Sequence, residues 1–174
     1  VFDVDMTASS YQQSMIDVAL ENSKLITLFN HLRIALLTRL KGDRGQKDTR
    51  RSLHYYFVAQ DIHERADSAH IDYQKLAKLF QHSDILFRFQ RLLTLQGKAC
   101  QDLAQSILSQ SPYVHHKRFK HSFENLRLSL EKLRDDGLYD QVRINALFAL
   151  YQNLKSIDAQ LQNLETERNL KLIN

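Results

Sequence analysis

The chain has 174 residues with a formal net charge of +4, four glycines, one proline and one cysteine. That length suits a single domain, and the charge is too small to speak for a nucleic-acid or membrane partner except through its distribution. A lone Cys100 excludes an intramolecular disulfide and fits a reducing compartment. The longest apolar runs, such as Ala146 to Tyr151, fall far below the roughly 18 to 20 residues that span a bilayer.

Apolar residues recur at alternating three- and four-residue steps, the period of a helix face. The first stripe is Tyr11, Met15, Val18, Leu25, Phe29, Leu32, Leu36 and Leu40, closed by the polar run Gly42 to Asp48. The second passes through Tyr55, Ala59, Ile62, Ala66, Ala69, Tyr73, Leu76 and Phe80, with small residues at its centre. Ser83 is placed to cap a third helix with Asp84 in its positive first turn; its stripe is Leu86, Phe89, Leu93, Cys100, Leu103 and Ile107, and Ser111-Pro112 ends it. The fourth stripe, Phe119, Phe123, Leu126, Leu130 and Leu133, stops at Gly137, and the fifth is Leu147, Leu150, Leu154, Ile157, Leu161 and Leu164. No alternating strand pattern competes. The expectation is an all-α protein, an elongated antiparallel bundle of about five long helices, each about 30 to 50 Å at 1.5 Å per residue.

Ionisable residues crowd the second helix at Asp61, His63, Glu64, Arg65, Asp67 and His70, with Tyr55 one to two turns upstream. His63, Asp67 and His70 share a face at i, i+4 and i+7, where imidazole and carboxylate can converge on an ion or small anion. A paired set of helix-borne acid-x-x-His motifs, as a two-metal bundle needs, is absent, and so is His-Glu-x-x-His. The expectation is therefore no resident metal or cofactor and a polar cluster for a ligand or partner. Gly-x-Ser-x-Gly and a phosphate-cradling glycine loop are also missing, and Cys100 sits on an apolar stripe, so no catalytic residue is assigned. Two basic groups, Arg44, Lys47, Arg50 and Arg51 in the first connection and Lys117, Arg118 and Lys120 before the fourth helix, are candidates for anionic-lipid contact. Phe119 and Phe123 read as core at helical spacing, which argues against base stacking and a nucleic-acid partner.

The run His54-Tyr55-Tyr56-Phe57-Val58-Ala59-Gln60-Asp61-Ile62-His63-Glu64-Arg65, continuing through Ser68 to Tyr73, together with Asp84 to Arg88 and Leu92 to Ala104 around Gln96-Gly97-Lys98-Ala99-Cys100, resembles inner-membrane proteins of the fusaric-acid-resistance-like (FUSC) family, of the YccS type. Similarity past Pro112 is of a general helical kind. Two membrane-embedded halves flank a cytoplasmic helical region in that family. The resemblance thus implies that residues 1 to 174 form one helical cytoplasmic domain excised from a membrane protein, in keeping with a start at Val1. It implies a regulatory or assembly role beside a transporter or efflux path for compounds such as aromatic carboxylic acids, at the cytoplasmic face of the inner membrane. The flanking membrane domains, a second copy in a homo-oligomer and an anionic lipid surface are the implied partners. A helical bundle that senses a small ligand or metal through the Asp61 to Asp72 cluster is the alternative.

Overall fold

The computed structural model describes residues 8–42 and 46–173, and among these every regular element is helical. In chain order they are α1 (Ala8–Leu40), α2 (Gln46–Leu79), α3 (Ile85–Ser109), α4 (Arg118–Asp135) and α5 (Gln141–Ile173). The all-α helical bundle read from the apolar period is the architecture observed. Its boundaries follow local chemistry. Ser83 Oγ accepts the Ile85 N–H at 3.2 Å, satisfying one of the donors a helix start leaves without an intrahelical partner. At the other end of α3, Gln110 turns left-handed with φ 54° and the Ser111 N–H reaches back to the Ser106 carbonyl at 3.0 Å, the backbone signature of a Schellman stop. Gly137 supplies the positive φ that ends α4 at no steric cost.

The chain divides into two compact units, Val1–Asp61 and Ile62–Asn174, with α2 contributing to both. In the first, α1 and the early turns of α2 share a thin core. Leu53 and Tyr56 are buried, and the Phe29 and Tyr56 rings meet edge to face at 5.7 Å, the arrangement favoured by the aromatic quadrupole. Leu25, Phe29, Leu36 and Leu40 are half-buried as the first stripe expects. Val18 and Leu32 from that stripe stay exposed, and the side chains of Tyr11 and Met15 lie outside the described residues. On α2 the buried positions are Thr49, Leu53 and Tyr56, whereas Tyr55 is half-buried and Ala59 exposed.

The second unit holds the larger core. Helices α3, α4 and α5 pack pairwise against one another, and the later turns of α2 join them. The Asn153 amide donates to the Arg65 carbonyl at 2.9 Å, and Phe80, just past α2, lies 4.5 Å from the Tyr139 ring. Every member of the α5 stripe is buried, from Leu147 to Leu164, as are Phe119, Phe123, Leu126 and Leu130 of α4. The α3 stripe is buried as expected at Leu86, Phe89 and Leu103 and lies one position off at its other members. Leu92, Gln96, Ala99, Leu103 and Ser106 face inward, leaving Leu93 and Cys100 half-buried and Ile107 exposed. Gln96 is tolerated there because its Nε2 donates to the Leu154 carbonyl of α5 at 2.8 Å, replacing the water it loses.

Leu154→Ala should destabilise the chain by about 2 to 5 kcal/mol, because a fully buried side chain leaves a cavity as well as losing transfer energy. Leu138→Ala, at a site 77% exposed, should change stability by less than about 0.5 kcal/mol. Urea unfolding followed by circular dichroism separates the two.

Candidate functional site

Helix α5 carries Asp158, Gln162, Glu165 and Asn169 at i, i+4, i+7 and i+11, which places all four on one face. The connector between α3 and α4 lies along that face. It has no helical hydrogen bonds of its own, so its polar groups need partners from elsewhere. Asn169 supplies two of them: its Oδ1 accepts the Tyr113 N–H at 3.3 Å, and its Nδ2 donates to the Tyr113 carbonyl at 3.1 Å. Glu165 Oε2 accepts the His115 N–H at 2.8 Å. Arg168 reaches the end of α3, donating through Nη2 to the Ser106 carbonyl at 2.8 Å.

At the centre is a buried pair. His115 Nε2 and Asp158 Oδ1 are 2.5 Å apart, with side chains only 5% and 6% exposed. The other ring nitrogen, Nδ1, is 2.8 Å from the Tyr113 hydroxyl. Gln162 Nε2 donates to the second Asp158 oxygen at 2.9 Å. The neutral Nε2–H tautomer of His115 satisfies both neighbours at once, donating to Asp158 and accepting from Tyr113. The imidazole stacks on Phe119 with centroids 4.4 Å apart and planes 5° from parallel, so its apolar faces are covered as well. Burial pushes the Tyr113 hydroxyl well above the ordinary tyrosine range, helped by the negative potential of Cys100, Glu165, Asp102 and Asp158. It therefore stays protonated at neutral pH. A carboxylate, an imidazole and a phenol in series could pass a proton, but the acid end is a buried phenol and no hydroxyl or thiol nucleophile meets the imidazole in this group. What the geometry does is clasp the connector to α5.

Beside the clasp is an open cleft of about 280 Å³ whose rim includes His116, Lys117, Lys120 and Glu165. Lys117, Arg118 and Lys120 are all exposed, as the lipid-contact expectation requires. They stand at the start of α4, whose first turn holds no acidic residue, so cations face the positive end of the helix dipole and an anion there would be favourable. Val114 and Leu108 flank this stretch of chain at 74% and 80% exposed. In the first unit Lys47 and Arg50 are exposed and Arg51 lies 3.5 Å from Asp48, while Arg44 falls outside the described residues.

The polar residues expected to form a cluster on α2 fall on both sides of the division between the units. Tyr55 and Asp61 belong to the first unit and His63, Glu64, Arg65, Asp67 and His70 to the second. All but the exposed Glu64 are half-buried. His70 Nε2 lies 3.0 Å from the Gln74 amide nitrogen, an interaction along the helix. Among the described residues no group of three His, Cys, Asp or Glu is placed to hold a metal ion. In the sequence His115 merely adjoins the basic group of Lys117, Arg118 and Lys120, and no motif singles out Asp158, Gln162, Glu165 or Asn169. The available signal was a single carboxylate, Asp158, directly after Ile157 in an apolar seam, since a buried charge needs a partner.

Asp158→Ala should cost about 3 to 5 kcal/mol, mostly by leaving His115 buried with an unmet donor. His115→Phe combined with Asp158→Leu should recover most of that loss. A double-mutant cycle by urea unfolding, with amide exchange of residues 113 to 117, reads both effects.

A profile of the FUSC-like family, described as FUSC-like inner membrane protein yccS, matches residues 1–161. The inner membrane protein YccS of Escherichia coli is 50% identical over 168 residues, which is 97% of this chain and 23% of that protein. A Haemophilus influenzae protein described as uncharacterized is 37% identical over 163 residues, 94% of this chain and 23% of its own length. The chain thus spans under a quarter of the length of the relatives it matches. No solved structure matches it.

Proposed function

Because the chain belongs to the FUSC-like family of inner-membrane proteins, we propose that it is a cytoplasmic assembly domain of a FUSC-type transport protein, pairing with a second copy or with flanking membrane domains. It is a regulatory or assembly part rather than an enzyme. Among the described residues no helix is long and apolar enough to cross a membrane; in this reading the permeation path lies in other parts of the protein.

The observation that carries the assembly role is the surface of α1. Ile16, Leu20, Ile26, Leu28, Ile34 and Leu37 are each at least 45% exposed, on the same helix as the half-buried seam of Leu25, Phe29, Leu36 and Leu40. Scattered apolar residues on a surface need no explanation, but six along one helix fit a surface that another helix covers. Asp17, Glu21, Lys24 and His31 lie toward one side of the helix, with Leu28 among them and Arg33 away from them.

In the full-length protein, Ile16→Gln with Leu20→Gln and Ile34→Gln should weaken self-association in cross-linking and sedimentation. Removing the whole segment should abolish assembly and lower resistance to aromatic carboxylic acids. Unchanged assembly and resistance after the deletion would refute the role.

The same domain meets anionic lipid through the start of α4, where exposed Lys117, Arg118 and Lys120 stand near the exposed apolar Val114 and Leu108. Near an anionic membrane surface each Lys or Arg contributes about 1 kcal/mol. Replacing the three by Gln should therefore reduce binding to phosphatidylserine-containing vesicles by about a hundredfold, measured by co-sedimentation at low salt.

A further inference from the structure

A second cleft, of about 310 Å³, opens between α3 and α4 on residues that neither the clasp nor the α1 surface uses. Four of its side chains are donors that point to one class of ligand. Arg88 and Arg91 come from α3, and Ser122 and Asn125 from α4. Spacing of i, i+3 in each pair puts the members of a pair on one face of their helix. Arg88 is held by Asp84, whose Oδ2 accepts from Nε at 3.2 Å, so the guanidinium is oriented while its two terminal nitrogens remain available. Arg91 is exposed and has no carboxylate within ion-pair distance among the described residues. Two guanidinium groups against one carboxylate leave the cleft with a net positive charge. Phe87 stands at its edge with 55% of its surface exposed, although it belongs to an otherwise well-packed helix.

We propose that this cleft binds a small phosphate monoester carrying a flat apolar group. Guanidinium forks match phosphate oxygens in pairs. A tetrahedral dianion can accept from both helices at once, from the arginines of α3 and from the Ser122 hydroxyl and Asn125 amide of α4. A planar carboxylate offers only two oxygens to these four donors. The ester group then lies on the exposed Phe87 ring, which explains a large aromatic side chain left open beside two arginines. The volume is at the lower end of small-molecule sites, which suits a ligand of this size. This binding goes beyond the assembly role and is independent of it.

The test is calorimetry and ¹H–¹⁵N chemical-shift mapping of the 174-residue chain with phenyl phosphate and with inorganic phosphate. Phenyl phosphate should bind more tightly than inorganic phosphate, with shifts gathered at residues 84 to 92 and 122 to 126. Arg91→Gln should weaken both ligands about tenfold, the loss of one charge-assisted contact. Phe87→Ala should remove the advantage of phenyl phosphate while leaving inorganic phosphate unchanged, and Lys120→Gln, in the other cleft, should leave both affinities as they were. Each substituted side chain is exposed, so the fold is retained and a weakened signal reports on binding. The proposal is overturned if phenyl phosphate gives no saturable signal, if the shifts gather instead at residues 116 to 120, or if Arg91→Gln binds as well as the parent chain.

Discussion

The buried contact between His115 and Asp158 is the constraint on which the order of the second unit depends. Two helices that meet at a short polar connector can pivot about it unless the connector's backbone is tied down. Here α5 ties it at Tyr113 and His115 through Asn169 and Glu165, and the His115 ring is locked by Asp158 on one side and Tyr113 on the other. A hydrogen bond to a carboxylate out of water adds little net stability, since desolvation offsets the attraction. Its effect is to penalise alternatives: any register of α5 that moved Asp158 away would strand a carboxylate and an imidazole together. The apolar seam from Leu147 to Leu164 drives association, and the clasp selects one way of achieving it.

That division of labour explains which parts of the fold could be read in advance. The α4 and α5 stripes were legible because, Asp158 apart, the buried positions there are apolar, so period alone identifies the buried face. On α3 the inward face includes Gln96 and Ser106, each donating to a carbonyl, Gln96 across the bundle and Ser106 within its own helix. A reading that equates burial with apolarity rotates such a helix, and Leu93, Cys100 and Ile107 were taken in place of Leu92, Gln96, Ala99 and Ser106. Helix α2 misleads for a different reason. The step from Tyr56 to Ala69 is 13 residues, out of phase with a 3.6-residue turn, so the buried positions of its first turns do not continue into its last. A single stripe drawn through both halves must be wrong in one, and Tyr55 and Ala59 are where it fails.

The candidate site was less legible than the fold for a related reason. A motif search looks for chemistry-bearing residues near one another in sequence, which is why the crowded turn from Asp61 to His70 attracted attention. Helical geometry spreads neighbours in sequence around the axis, whereas the clasp joins residues 43 positions apart. The basic residues Lys117, Arg118 and Lys120 stand out in the sequence because a charge cluster is local along the chain.

The two units differ in how much of their apolar surface the described residues cover, and this difference bears on function more directly than any single side chain. The core of the second unit includes Phe80, Phe89, Phe123 and the whole α5 seam. At roughly 25 cal/mol per Å² of apolar area removed from water, such a core is self-sufficient. Among the described residues the first unit buries little beyond Leu53 and Tyr56 and leaves eight aliphatic residues of α1 open. Two helices with so thin a seam are marginal in water, because most helix stability in proteins comes from packing an apolar face. An element of that kind gains order when something covers it. Under the assembly role we propose, contact with a partner helix would stabilise α1 and the early turns of α2 while the second unit keeps its own packed core.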